Sequence, residues 1–300
     1  MLNFKRTEIE DKEIIDSFLQ HQNYRTAELC FTNLFTWGAK FNTEYAVAND
    51  WLFVRFRDNN NRNSYLKPIG KGNIKEGIQM IMEDHKQFDN VFQIRGLTKE
   101  MIAEIESAMP DVFDYNFNRS VSDYIYSADK LATLAGKKLQ SKRNHINRFK
   151  RENDWKYISM HGETEFVKEC KSLLKLWMNV HVENGDDPDD DYDVQAVNLM
   201  LDNFDYLGLQ GGLICVEGDI VAFTIGERLT EDTFVVHVEK ARTDVHGAYT
   251  IINQQFVENE LSEYTYVNRE EDMGIENLRK AKMSYYPDIL LEKSVARLKK

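Results

Sequence analysis

The order of hydrophobic periodicities constrains this chain more than any other feature, because it occurs twice. In the first half, apolar residues spaced for one helix face run over Glu10–Gln20 and again over Glu28–Trp37. The period then changes to two. Glu44–Ala48 and Trp51–Arg57 flank Asn49-Asp50 as a hairpin, and Ser64–Pro68 is a third strand. A helix over Ile74–Lys86, a strand over Phe92–Arg95, a helix over Lys99–Met109 and a strand over Asp123–Ser127 complete the half. The second half opens with Gly136–Glu152 as a helix, Trp155–Met160 as a strand and helices over Glu163–Glu183 and Tyr192–Leu207. Strands over Gly211–Val216, Ile220–Glu227 and Thr233–Glu239 follow, then helix Tyr249–Leu261, strand Tyr264–Asn268, helix Ile275–Met283 and strand Asp288–Leu291. Two helices, a three-strand meander, then helix–strand–helix–strand is an α+β layout, with a mixed, mainly antiparallel sheet flanked by helices in each half. With 300 residues, more than one core usually serves, the expectation is two domains, 1–128 and 129–300.

Composition narrows the class. A hydrophobic content of 42% supports real cores, and a net charge of −12 opposes broad coating of nucleic acid, though a local basic patch can override the average. Cys30, Cys170 and Cys215 are far apart and form neither a disulfide framework nor a zinc pattern. The start carries charges throughout and no apolar signal region, and no apolar run reaches the roughly 18–20 residues of a membrane span. These features together predict a cytoplasmic protein that reaches a membrane only peripherally.

Three segments could carry chemistry. In Val235–Ile251 a strand ends at Glu239, a polar loop with Arg242 follows, and Gly247-Ala248 open a helix. Backbone N–H groups at a helix start, with a nearby cation, suit a phosphate. The same residues also make an ordinary strand–helix turn. In Gly136–Arg151, seven basic residues, including Lys142, Arg143 and Arg148, occur with no acidic one. Leu139, Ile146 and Phe149 give that helix a face to bury, so its other face can meet the phosphates of coenzyme A or an RNA end. A solvated helix, or one paired with the acidic stretch Asn184–Asp191, is the competing reading. Third, Asn268 and Arg269 end a strand, and Lys280, Lys282 and Tyr285 follow closely, gathering polar groups where strands end. No nucleophilic triad is legible, and the seven histidines are scattered, so no metal site is expected. Lack of a nucleophile fits direct attack of an acceptor on an activated acyl group. Glu239 and His237 are the candidates for polarising roles.

Three stretches carry a resemblance to a known family: ELCFTNLFTW, GKKLQSKRNHINRFKR and NREEDMGIENLRKAKMSYYPDILLEK. They resemble the DUF2156 group, related to the C-terminal domain of phosphatidylglycerol lysyltransferase, over essentially the whole chain. The resemblance implies tandem GNAT-like (acyl-CoA N-acyltransferase) folds, akin to the Fem peptidyltransferases. It also implies transfer of an aminoacyl group from aminoacyl-tRNA to a lipid or cell-wall precursor, or use of acetyl-CoA as elsewhere in the wider fold. Full-length lysyltransferases carry a membrane flippase region that is absent from this sequence. The usual phosphate loop, Gln/Arg-x-x-Gly-x-Gly/Ala, is here Arg242-Thr-Asp-Val-His-Gly247-Ala248, with altered spacing.

The expectation is an acyltransferase. Donor binding is assigned to Lys142, Arg143, Arg148, Arg242, Gly247 and Ala248, and a substrate wall to Asn268, Arg269, Lys280, Lys282 and Tyr285. The co-substrate is aminoacyl-tRNA or acyl-CoA, the partners are tRNA and a small-molecule, lipid or peptide acceptor, and the first domain is a degenerate copy. The alternative is a non-catalytic binding or scaffold protein that retains the fold.

Overall fold

Asn49 and Asp50 both adopt left-handed backbone, φ 51° and 62°, which closes the two-residue turn between strands Glu44–Ala48 and Trp51–Arg57. Their register, Ala48 opposite Trp51 through Glu44 opposite Arg55, buries Tyr45, Ala46, Leu52 and Phe53. Similar local chemistry sets the helices: Asn73 and Thr98 cap Ile74–His85 and Lys99–Ala108 by accepting from Lys75 N and Met101 N. The computed structural model describes residues 2–160, 166–183 and 190–299. Asp186, Asp187 and Asp189 of the acidic stretch lie outside the described residues. Among the described residues, no helix is long and apolar enough to cross a membrane.

Two mixed, mainly antiparallel sheets form, each flanked by helices. The first runs in the order Lys5–Arg6, Glu44–Ala48, Trp51–Arg57, Asn63–Tyr65, Gln93–Leu97, Ser294–Leu298, Phe113–Phe117, with Ile69–Gly70 beside Trp51–Arg57. The second runs Ile289–Leu291, Asp123–Ser127, Tyr266–Asn268, Thr233–Ala241, Asp219–Arg228, Gln210–Val216, Trp155–Met160. Each holds an antiparallel meander followed by a parallel pair. Asn63–Tyr65 lies parallel to Gln93–Leu97 across helix Ile74–His85, and Thr233–Ala241 parallel to Tyr266–Asn268 across helix Ala248–Glu260. A parallel pair needs such a crossover, so the order of periodicities dictates this topology.

Sequence and structure differ where pairing is long-range. The third strand of the first meander is Asn63–Tyr65 rather than Ser64–Pro68, since Pro68 has no N–H for a ladder. Phe113–Phe117 and Ser294–Leu298, unexpected from the sequence, pair with each other from Phe117↔Ser294 to Phe113↔Leu298. Neither has a strong alternating pattern, and partners nearly two hundred residues away define them. The helix expected over Tyr192–Leu207 is two, Asp190–Asp202 and Phe204–Leu207, broken at Asn203.

The chain groups into two compact units, neither contiguous in sequence. Unit one is Met1–Asp123, Glu271–Arg279 and Leu290–Lys300; unit two is Tyr124–Glu270 and Lys280–Ile289. The single boundary drawn from sequence, at 128/129, has no term for a chain that leaves a unit and returns. In unit one, the returning segments are fastened by charge. Asp272, fully buried, accepts from Arg279 at 2.8 and 2.9 Å, from Arg119 at 3.3 Å and from Gly274 N at 2.8 Å. Lys293, 1% exposed, donates to Glu28 at 2.6 Å, Asp123 at 2.8 Å and Glu271 at 3.4 Å.

In unit two, the sheet core is aromatic: Phe234 meets Phe256 and Tyr264 edge-on at 5.7 and 5.3 Å. The ladder between Asp219–Arg228 and Thr233–Ala241 slips by one residue, Ile225 facing Val238 and Gly226 facing Val236. His237 is therefore the unopposed residue of a β-bulge. Gly226 permits it, since a Cβ there would lie 2.1 Å from Val235 O and 2.5 Å from the Phe234 ring.

Candidate functional site

All residues of this site belong to unit two. Strand Thr233–Ala241 continues two residues beyond the expected end, so Glu239 sits within it rather than at its tip. Its carboxylate accepts from Arg269 Nη2 at 3.0 and 2.9 Å and from Asn253 Nδ2 at 3.3 Å. Arg269 follows strand Tyr266–Asn268. Its guanidinium lies 5.0 Å from the Tyr285 ring centroid and 5.7 Å from that of Tyr126. Burial opposes the Arg269 charge, and Glu239 restores it, holding the guanidinium above its ordinary value. Nη1 is buried without a hydrogen-bond partner among the described residues. The side chains of Arg269 and Glu239 are 12% and 13% exposed.

Aromatic and basic groups close around this pair. Tyr285 is 5% exposed, and burial pushes its hydroxyl up to about 12. Tyr126 meets it edge-on at 6.4 Å and donates to Lys282 O at 2.8 Å. Lys282 Nζ donates to Arg269 O at 2.6 Å, fixing the backbone from which the guanidinium projects. Lys142, from helix Gln140–Glu152, places Nζ 4.1 Å from the Tyr285 centroid. Burial first, then the Arg269 charge, lower its amine below the ordinary lysine value against the pull of Glu239.

The phosphate loop and the basic helix meet. Gly247, φ +87°, precedes helix Ala248–Glu260, and a Cβ on it would lie 3.1 Å from His145 O and 3.3 Å from Phe149 Cβ. His145 Nδ1 and His246 Nε2 are 2.9 Å apart, so one nitrogen carries the shared proton and the other accepts it. Burial, then His246, Lys142 and Arg148, lower His145. Ala248 is buried, and its N donates to Val245 O at 3.2 Å.

Several expected donor contacts already have protein partners. Arg242 pairs with Asp244 at 2.7 Å, and Arg148 with Glu152 at 2.8 Å, the acid just beyond the basic run. Arg143 donates to Leu134 O, to Gly136 O at 2.8 Å and to Gln140 Oε1 at 2.6 Å, tying its helix to the preceding segment. Lys280 is exposed, while Asn268 is buried and accepts from Glu270 N at 2.7 Å. His237, its side chain 1% exposed, sits between Glu270 at 2.8 Å and Glu227 at 3.0 Å. A carboxylate only accepts, so this arrangement needs two protons on the imidazole or one on an acid. The sequence brought Glu239, Arg269, Lys282, Tyr285 and Lys142 into view. It missed Tyr126 and Asn253, whose signals are an aromatic alternation in DYIYS and a polar position on the buried face of helix Ala248–Glu260.

Two sheets, each an antiparallel meander joined through a helix to a parallel strand, give the α+β fold of mixed, mainly antiparallel sheets flanked by helices. The chain belongs to the family described as phosphatidylglycerol lysyltransferase, C-terminal, whose family model matches residues 21–297. A conserved protein of unknown function from Bacteroides thetaiotaomicron is 39% identical, with 100% of both chains covered and a TM-score of 0.92. L-PGS from Bacillus licheniformis is 16% identical, with 96% of this chain and 92% of that one covered and a TM-score of 0.66, a likeness of fold. An uncharacterised protein of Mycoplasmoides gallisepticum is 23% identical over 189 residues, and the match spans 60% of this chain and 58% of that protein's own length.

Proposed function

We propose that this chain is a cytoplasmic acyltransferase that passes an aminoacyl group from aminoacyl-tRNA to an amine or hydroxyl acceptor by direct attack. Acyl-CoA is the second donor, and a lipid, peptide or small molecule is the acceptor. Family membership supports the transfer class. The observation that carries the reading is Arg269: Glu239 holds one guanidinium nitrogen, and the other, Nη1, has no partner among the described residues. A fixed cationic donor between two tyrosine rings suits the oxygen that becomes negative when an acyl carbon is attacked. Removing one such donor costs roughly 100-fold or more in rate.

The test is a donor-consumption assay. Total tRNA charged with radiolabelled amino acids, and separately acetyl-CoA, are offered with phosphatidylglycerol vesicles or a mixture of primary amines. Acceptor-dependent loss of label from one donor is expected, falling about 100-fold in Arg269→Met. Consumption of neither donor, or equal rates in wild type and Arg269→Met, overturns the reading in favour of a binding protein that retained the fold.

A further inference from the structure

Two consecutive tyrosines of unit two face different surroundings. Tyr285 is 5% exposed, whereas Tyr286 is 44% exposed. The backbone turns between them. Tyr286 adopts a left-handed φ of 54°, which a bulky side chain resists and which the following Pro287 disfavours further. Among the described residues it is the one aromatic side chain held in this way. Its surroundings keep it there. Tyr286 N donates to Met283 O at 2.9 Å, and Tyr286 O accepts from Lys130 Nζ at 2.5 Å. Lys130 also pairs with Asp288 at 2.5 Å, and Asp288 accepts from Ser127 N at 2.8 Å. Strain held by this many bonds marks a built feature rather than a slack loop. What it presents is an exposed ring with an ammonium over it. Lys138 Nζ lies 5.2 Å from the Tyr286 centroid, as Lys142 Nζ, four residues on, lies 4.1 Å from that of Tyr285. Lys138 is exposed, so its ammonium can meet an anion while the ring meets a planar group.

We propose that Tyr286 is the platform on which the terminal base of the donor RNA stacks, with Lys138 taking the phosphate beside it. The inference deepens the transfer reading above and rests on it. A flat ring with a cation alongside matches a nucleotide, which offers a π-face and an anion in one unit. Both donors contain an adenosine, but they place it differently. In aminoacyl-tRNA the acyl group sits on the ribose of the last nucleotide, so the base lies one sugar from the reacting carbon. In acyl-CoA the whole pantetheine arm separates the two. Tyr286 follows Tyr285 directly, and the Arg269 guanidinium lies 5.0 Å from the Tyr285 centroid. A base held this near Arg269 fits the end of a tRNA. A net charge of −12 opposes a broad RNA-binding face, and one stacked base with one phosphate needs none. Tyr286 is a positioning residue here: it holds the ester by its base and leaves the reacting atoms to Arg269.

Binding by the full chain tests this without catalysis. Calorimetry is run with an RNA minihelix ending in CCA, with the same minihelix carrying an abasic last sugar, and with coenzyme A. Tyr286→Leu is expected to weaken the CCA minihelix about 10-fold or more and to leave the abasic one unchanged, while Tyr286→Phe keeps the wild-type affinity. Tyr286→Gly relieves the left-handed backbone, so it should unfold no earlier than the wild type and still lose binding as Tyr286→Leu does. Lys138→Gln should reduce the slope of log affinity against log salt by about 0.7, the value of one phosphate on a single strand. Equal losses on both minihelices, wild-type binding by Tyr286→Leu, or no binding of the CCA minihelix by the wild type overturns the proposal. So does a dependence on Tyr286 seen for coenzyme A alone. If the platform behaves as expected in a protein that consumes neither donor, the subsite stands and the transfer reading falls.

Discussion

Each unit buries a basic side chain among charged neighbours, with opposite balances. In unit one, Lys293 faces three carboxylates, Glu28, Asp123 and Glu271, and burial is overcome so that its ammonium stays well above the ordinary lysine value. In unit two, Arg269 has one carboxylate, Glu239, and Lys142 beside it has none. Surplus acid around Lys293 leaves no donor of that lysine in need of a ligand, and the cluster ties the last segment of the chain to its unit. Surplus cation around Arg269 leaves a donor unused and an amine short of a counter-charge. Buried charge that is fully paired reads as fastening, and buried charge left with spare capacity reads as a site.

Stability should separate the two most strongly. Lys293→Met leaves three acids without their cation, Asp123 fully buried among them, and should destabilise the chain by about 3–5 kcal/mol in urea unfolding. Arg269→Met should cost less, about 1–3 kcal/mol, because Glu239 keeps Asn253 and some solvent. Adding Glu239→Met should recover most of that loss, since an ion pair replaced whole is far cheaper than one broken. If Lys293→Met costs no more than Arg269→Met, the contrast between fastening and site fails.

The smallest effect lies at the seam of the basic helix and the phosphate loop. His145 is lowered from the ordinary value of 6.5. The unfolded chain then binds more protons than the folded one just below pH 6.5. Stability should therefore fall as pH drops through 6.5 and level off below the folded value. His145→Gln should flatten this dependence in urea midpoints taken between about pH 5 and 8. An unchanged pH profile would mean that the imidazole pair does not titrate with folding, and that the loop is held by Gly247 packing alone.

Much of this was legible in the residues. Amphipathic period gave helix Ile74–His85 and helix Ala248–Glu260 close to their ends, and the left-handed Asn49-Asp50 turn is local chemistry. Glu239, Arg269, Lys282, Tyr285 and Lys142 were visible as polar or basic groups near strand ends and on one basic helix. Their mutual roles were not. Arg143 and Arg148 look identical to Lys142 in the run, yet carbonyls and Glu152 occupy them while Lys142 turns onto Tyr285. His237 stood out in the sequence as a candidate for a polarising role near the end of a strand. The slipped ladder at Gly226 and the two carboxylates on its ring, which the sequence does not show, place it in the structure.

The sequence by itself determined what depends on neighbours a few residues away: the two-fold order of helices and strands, the turns, the caps and the basic helix with its buried face. Tertiary structure decided what depends on partners far along the chain. Where the sequence suggested one boundary at 128/129, the compact units are discontinuous along the chain, because Phe113–Phe117 and Ser294–Leu298 pair across nearly two hundred residues. The same reason governs the site. A cation's role is set by whether an acid reaches it, and composition cannot say which of the 50 acids will lie within 3 Å.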